Sequence, residues 1–230
     1  MSTEIKTKLN KELLRGLQRQ PSGKAVLLYS AGIDSTAAGL LLKQDGYQVW
    51  PLFIKYGQSA EAAEEYLVRT APKTLGFEPT RTIETDLLKQ LTRSRLLGQQ
   101  SIGDSDAWVP GRNTLFMVLA GIYAKQIDAD GISIGYMLDD NFVFGDNDFF
   151  HHQAIEGVLS RSFLQPTRVL LPTMASHKKD LIRLLYEKGA LDLTVSCWNA
   201  NMAGERIISC SICANCIERN KYINKVRGKK

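Results

Sequence analysis

Residues 24–44 read KAVLLYSAGIDSTAAGLLLKQ, and this stretch decides the fold. Lys24–Tyr29 is an unbroken apolar run, the pattern of a parallel strand covered on both faces. Small residues follow, and Ser35–Gln44 then reads as a helix. A buried strand that turns tightly into a helix is the opening unit of an α/β domain.

The alternation continues outward from that unit. Strands are predicted at Tyr47–Ile54, Thr80–Glu84, Gly131–Gly135 and Arg168–Leu171. Helices are predicted at Ser59–Leu75, Leu87–Leu97, Asn113–Gln126, Asp148–Leu164 and Ser176–Lys188. The fold class is α/β, with a doubly wound, mostly parallel sheet and a small C-terminal zinc-binding module. Three segments are expected. Residues 1–22 form an N-terminal helical extension, with Ile5, Leu9, Leu13 and Leu17 at i+4 spacing and a break at Pro21-Ser22-Gly23. Residues 23–195 form the α/β domain, and 196–230 form the cysteine module with a basic tail.

Of the 230 residues, 44% are hydrophobic and 23% are charged, which is globular composition and large enough for a full core. Apolar runs such as Ala25–Tyr29 and Ala37–Leu42 fall far short of the roughly 20 residues that span a bilayer. The first twenty residues show no apolar signal core. A cytoplasmic, reducing location without membrane contact is therefore expected. The net charge is +5. It resides at the ends: residues 1–20 carry +3, residues 218–230 carry +5, and the middle is acidic. Basic ends can touch nucleic acid, but solvated termini are the commoner reading and no interleaved aromatics support the former.

The turn Ser30-Ala31-Gly32-Ile33-Asp34-Ser35-Thr36 opens a helix. The first N–H groups of a helix lack intrahelical partners and carry partial positive charge, so such a turn suits an anion. Ser30, Ser35 and Thr36 add hydroxyls, and Asp34 can cap the helix or position a metal-bound phosphate. Neither G-x-x-x-x-G-K-[ST] nor G-x-G-x-x-G is present. Without further context, a small-residue turn is as often only a tight turn.

Cys197, Cys210, Cys213 and Cys216 are all the cysteines of the chain, spaced C-x12-C-x2-C-x2-C. Four thiolates at such spacing close a tetrahedral Zn²⁺ site with no open position, which is structural rather than catalytic. An iron–sulfur cluster also uses four thiolates, and unrelated buried thiols are the bland alternative. Disulfides fit a reducing compartment poorly. His151, His152 and His177 are isolated, which favours capping or exposed roles over acid–base chemistry.

Four blocks, SAGIDST at 30–36, YGQ at 56–58, VPGRNTLF at 109–116 and SCW…CSICANCIERN at 196–220, together resemble the 7-cyano-7-deazaguanine synthase family of the queuosine pathway. The first block resembles the PP-loop of ATP pyrophosphatases, S-G-G-x-D-S, with Ala31 in place of the first glycine. The resemblance implies ATP with Mg²⁺, adenylation of the carboxylate of 7-carboxy-7-deazaguanine, attack by ammonia, and a second activation that leaves the nitrile. It assigns Ser30, Ala31, Gly32, Ile33, Asp34, Ser35 and Thr36 to ATP, with Arg112 and Lys178 on the phosphates; Asp34, Arg112 and Lys178 are the catalytic candidates. Tyr56, Gln58 and Asp146 are the substrate-binding candidates. It also implies a homodimer.

Three features depart from the family pattern. The first is Ala31. In the second, Lys55 precedes YGQ and Ser59-Ala60 follow it, where the family has an acid and then basic residues. In the third, Gly135–Phe150 lacks the Cys-Arg of a Y-P-D-C-R-like loop. Two further readings follow. One is a divergent paralogue that transfers the activated acyl group to another amine, such as a protein terminus or a nucleic-acid base. The other is a non-catalytic zinc-ribbon protein that binds nucleic acid.

Overall fold

The computed structural model describes residues 22–97, 108–137 and 145–228. The helix expected over 4–19 lies outside these residues. Five parallel strands form one sheet: β1 (Lys24–Leu28), β2 (Gln48–Lys55), β3 (Arg81–Glu84), β4 (Gly131–Ser133) and β5 (Arg168–Leu170). Their order is β3-β2-β1-β4-β5. The chain winds outward in one direction from β1 to β3 and in the other through β4 and β5. The switch point therefore falls between β1 and β4, where such sheets open a crevice beyond the strand carboxyl ends.

Side-chain alternation sorts the strands into two cores. Ala25, Leu27 and Tyr29 of the β1 segment join Val49 and Phe53 of β2 on one face. Val26 and Leu28 join Leu52 and Ile54 on the other. The first face is covered by α1 (Ile33–Gln44), α2 (Glu61–Leu75) and α6 (Lys178–Glu187). The second is covered by α4 (Arg112–Gln126) and α5 (Phe149–Phe163), through Met117, Ala120, Ala124, Ile155 and Leu159. Burial on both faces is why the strands read as apolar runs rather than as alternating ones.

Pro51 sits inside β2 although proline donates no ladder hydrogen bond. β3 begins to pair only at Leu52, so Pro51 lies where β2 has β1 alone as neighbour. Asp130, before β4, accepts from the backbone N–H groups of Ser22 and Gly23 at 2.7 and 2.8 Å and so ties the start of β1 to β4.

Two elements differ from expectation. The helix expected over 87–97 is a five-residue α3 (Leu87–Leu91) and a separate 3-10 turn at Arg95–Leu97. Thr92 is extended there, with φ −146° and ψ 165°, and ends the helix. In the C-terminal part, β6 (Asn201–Ala203) and β7 (Arg206–Ile208) form an antiparallel hairpin that was not anticipated, ahead of α7 (Ala214–Val226). Its strands are three residues long, too short for a period-2 pattern to register. Among the described residues no helix is long and apolar enough to cross a membrane.

Gly39 faces the core from the middle of α1. A Cβ there would lie 2.4 Å from Phe77 Cζ and 2.9 Å from Leu27 Cδ2. Gly39→Ala is expected to cost about 1–3 kcal/mol by overpacking. Thermal unfolding should show it as a fall of roughly 2–4 °C per kcal/mol.

Candidate active site and metal centre

β1 ends at Leu28, and the chain reaches α1 through Tyr29–Gly32. Gly32 is the N-cap of α1, and no side chain caps the helix. The first N–H groups of α1 are thus left for a ligand. Ser30 Oγ accepts from Gly32 N–H at 3.4 Å, and Ser35 Oγ donates to Gly32 O at 3.3 Å, so both hydroxyls line this turn.

Ala31 is buried with φ 55°, in the left-handed region. An L-residue there costs roughly 1–2 kcal/mol. Its methyl is packed in the main core, which returns about 0.8 kcal/mol, the value of one buried carbon. Its carbonyl is fixed by Val195 N–H at 2.9 Å. The methyl therefore points into protein and away from the crevice.

Both Asp34 oxygens lie on Lys178 Nζ, at 2.7 and 2.8 Å. Lys178 opens α6, so this pair joins the first turns of two helices across 144 positions of sequence. The carboxylate does not cap its own helix. Gly135, just after β4, approaches the same turn from the other side. A Cβ at Gly135 would lie 2.6 Å from Asp34 C and 2.7 Å from Ser35 N. Only a glycine allows backbone to pack on backbone there.

These elements enclose a cavity of about 380 Å³. Ser30, Gly32, Ile33, Asp34, Ser35 and Lys178 line one end, and Tyr56, Gln58, Glu64, Arg112 and Phe116 line another part of the wall. Ala31 and Thr36 are fully buried and sit behind the lining rather than in it. Thr36 packs beside Tyr29, whose phenol burial pushes up to about 12. Arg112 opens α4 and donates to Asn113 Oδ1 from Nε and Nη2, each at 3.3 Å, and to Tyr56 Oη at 3.3 Å. Burial pushes the Tyr56 phenol up, and the Arg112 charge opposes that rise.

Gln58 is a turn-former: its Oε1 accepts from Tyr56 N–H at 2.9 Å and its Nε2 donates to Glu64 Oε2 at 2.8 Å. Asp146 Oδ2 accepts from Asn113 N–H at 3.0 Å, and the Asp146 carbonyl accepts from Asn113 Nδ2 at 3.2 Å. Asp146 thus holds the start of α4 and is not among the residues lining the cavity. Lys55 is bound up with Glu61, Glu65 and Glu84 at 3.5, 3.2 and 3.8 Å.

The histidines stand apart from the cavity lining. His151 Nε2 lies 2.8 Å from Thr114 Oγ1. His152 is 1% exposed, edge-on to Tyr136 at 4.7 Å, and neither ring nitrogen has a partner. Burial, with the adjacent His151, pushes it down to about 4, so the ring is a neutral core residue at ordinary pH.

The four cysteine sulfurs lie within 4.8 Å of one another. A tetrahedral ion about 2.3 Å from each thiolate would set the sulfurs about 3.8 Å apart, so the donor set fits a single metal ion. Cys210 N–H donates to Cys197 Sγ at 3.2 Å. Burial acts to raise the Cys210 thiol, but the backbone N–H groups of Ile212 and Cys213 outweigh it and bring it down to about 6. Cys197, Cys213 and Cys216 belong to the same core cluster as Ala31 and Ile33. Arg219, one turn after Cys216, donates to Thr194 Oγ1 at 2.7 Å, Leu191 O at 3.0 Å and Ser196 Oγ at 3.3 Å. Trp198, Glu218 and Arg219 bring the metal module into the cavity wall.

Glu64, Gly135, Trp198 and Arg219 were not singled out in the sequence. A glutamate in the first turn of a helix reads as ordinary dipole compensation. The others matter through approaches between distant segments. Only the proximity of Trp198 and Arg219 to metal-ligand positions could have marked them.

A parallel sheet with a small-residue loop after β1, unpaired helix N–H groups and a lysine facing them defines a nucleotide-binding α/β protein of the PP-loop type. Residues 24–227 match the family model described as queuosine biosynthesis protein QueC, and the chain belongs to that family. The chain is 28% identical over 213 residues to the 7-cyano-7-deazaguanine synthase of Methanothrix thermoacetophila, covering 86% of this chain and 93% of that one. It is 29% identical over 223 residues to the synthase of Carboxydothermus hydrogenoformans, covering 89% and 98%. Two solved structures share the fold. One is a 4-thiouridine synthetase in complex with RNA and bound ATP, at TM-score 0.50 and 19% identity; the match takes in 90% of this chain and only about half, 51%, of that one. The other, described as a predicted subunit of tRNA methyltransferase from Methanocaldococcus jannaschii, has TM-score 0.51 and 17% identity, covering 90% and 89%.

Two outcomes are expected. Gly135→Ala should weaken pyrophosphate binding at least tenfold, about 1.4 kcal/mol, in calorimetric titration, with bound metal unchanged. Cys216→Ser, or chelation of the wild type, should release the metal, lower the unfolding temperature and alter tryptophan emission through Trp198.

Proposed function

We propose that the protein uses ATP to convert the carboxylate of 7-carboxy-7-deazaguanine into the nitrile 7-cyano-7-deazaguanine. The observation that carries this reading is the Asp34–Lys178 pair set against the unpaired N–H groups of α1, inside the cavity. Family membership supports the substrate class.

The chemistry runs in two activations. The carboxylate oxygen attacks the α-phosphorus of ATP, the α–β bridging P–O bond breaks, and pyrophosphate leaves. The α1 N–H groups and Lys178 hold the departing phosphates where charge accumulates. Ammonia then attacks the acyl carbon of the adenylate, AMP leaves and a proton is lost, giving the amide. The amide oxygen attacks a second ATP and again releases pyrophosphate. Loss of AMP and a proton from the imidate leaves the nitrile. A carboxylate oxygen is a poor leaving group and AMP a good one, so the enzyme chiefly holds two anions in register. Arg112 balances charge at the far wall. Asp34 would help to hold a Mg²⁺ ion bound with ATP, which would supply neutralisation of the phosphate charge.

The four cysteines hold Zn²⁺ in this reading. Four thiolates leave no open position, so the ion supports the fold and takes no part in the reaction. The domain division is proposed as 1–22, 23–195 and 196–230. A homodimer and a cytoplasmic location go with the family reading.

A second reading keeps the adenylation and changes the acceptor to an amine on a macromolecule. It draws on Gly135–Phe150, which lacks a Cys-Arg pair, and on Lys55, which is occupied by three glutamates.

The test is a mass-resolved turnover of metal-loaded protein with Mg-ATP, 7-carboxy-7-deazaguanine and ammonium. Free nitrile with two AMP per product is expected. Pyrophosphate release that halts at the adenylate or amide would favour the second reading, and no substrate-dependent pyrophosphate release would sink both. Lys178→Met is expected to lower kcat/KM about 10²–10³-fold, the scale of losing one charge-stabilising donor.

A further inference from the structure

We propose that Glu64, held by Gln58, is the specificity-determining residue that reads the lactam N–H and exocyclic amine of a guanine-type substrate base. The inference rests on the deazaguanine reading above and assigns that substrate an anchor within the same cavity.

Glu64 lies in the first turn of α2 and lines the cavity. Gln58 is 6% exposed and its amide has no freedom to flip. Its Oε1 is taken by Tyr56 N–H at 2.9 Å, while Nε2 faces both Ile54 O at 3.4 Å and Glu64 Oε2 at 2.8 Å. Gln58 therefore presents a donor to Glu64 and sets the carboxyl as an acceptor. Among the described residues no cation closes on Glu64, and Gln58 is its one side-chain hydrogen-bond partner.

The surrounding wall is largely apolar. Leu52, Ile54, Tyr56 and Phe116 line it, with the Tyr56 and Phe116 rings edge-to-face at 5.2 Å. A planar heterocycle suits such a slot. A carboxylate at its edge offers two adjacent acceptors and no donor. That pattern complements a ring N–H beside an amino group, the edge of a guanine-type base. It mismatches adenine, whose ring acceptor sits beside its amino donor. Glu64 is half-buried and no cation among the described residues contacts it, which disfavours its charge, and two N–H donors from a ligand recover much of that cost.

The electrostatics of the wall agree with that geometry. Burial pushes Glu64 up to about 7, opposed by the Gln58 hydrogen bond and the charge of Arg112 on α4, with neighbouring Glu61 adding to the rise. Tyr56, after β2, is the other titratable group in this part of the cavity wall. An empty site near neutrality is thus a mixture of protonated and ionised forms, whereas two N–H donors need the ionised form. Binding should expel a proton. Apparent affinity should rise about tenfold from pH 6 to pH 8, following the ionised fraction of a group near 7.

The experiment is calorimetric binding of 7-carboxy-7-deazaguanine and its 2-desamino analogue to full-length, metal-loaded wild type and Glu64→Gln, at pH 6, 7 and 8. ATP binding alone is the control. For the guanine-type ligand, Glu64→Gln should weaken binding at least tenfold and abolish the pH dependence, because its amide sets a donor against a donor. The desamino analogue should bind wild type at least tenfold more weakly and suffer little further loss in the variant. ATP affinity should be equal in both proteins. Guanine-type ligand bound equally by both proteins would overturn the inference and leave the proposed function standing. Weakened ATP binding would overturn it in favour of an adenine site. Wild type that fails to bind the deazaguanine would overturn both.

Discussion

Everything in this molecule turns on keeping the first N–H groups of α1 open to a cavity while the turn that carries them is locked in place. Open helix donors are a liability unless a ligand or water satisfies them. The protein meets that requirement by fixing the turn from three directions. β1 delivers it from a strand buried on both faces. Val195 N–H holds the Ala31 carbonyl. Gly135, coming off β4, packs against the Asp34 backbone at a distance no side chain permits. The sheet order makes this convergence possible, because the strand carrying the loop and the strand carrying Gly135 flank the switch point.

The cysteine cluster belongs to the same structural argument, though it lies far along the chain. Arg219 follows the last cysteine and clamps Leu191, Thr194 and Ser196. Those positions bracket Val195, whose N–H reaches Ala31. Metal binding to four thiolates is worth much of a small module's folding energy. An ion held there would, through Arg219 and Val195, stiffen the turn before α1 as well as the module.

Much of this was legible in the sequence where local pattern carries the information. Lys24–Tyr29 announced a doubly covered strand, and the cysteine spacing announced one cluster. The SAGIDST turn was legible as the opening of a helix, and the helix that follows the PGRN block was legible to within one residue of its start. What stayed hidden depends on approaches between distant segments. Asp34 looks like a helix cap until Lys178 is seen 144 positions away. Asp146 looks like a substrate contact until its bonds to Asn113 are seen. Gln58 looks like a ligand group, yet its hydrogen bonds hold its own turn and Glu64. The β6–β7 hairpin hid for the opposite reason, being too short to leave a pattern.

The Asp34–Lys178 pair is also weak enough to exchange partners. Its side chains are 30% and 19% exposed, so solvent screens much of their attraction. Partly exposed pairs of this kind contribute only about 0–1 kcal/mol. Such a pair can hold Lys178 in position over the helix N-terminus without trapping it there. A phosphate brings more charge and several acceptor oxygens, and hydrogen bonds between charged partners are about twice as strong as neutral ones. Lysine can then turn to the phosphate at little cost, and Asp34 is left facing any divalent cation that arrives with the nucleotide. A stronger, buried pair would have made the empty enzyme more rigid and the exchange too expensive, because each partner removed would leave an uncompensated buried charge. In the proposed reaction, the modest strength of the contact would let one lysine pass from Asp34 to a phosphate.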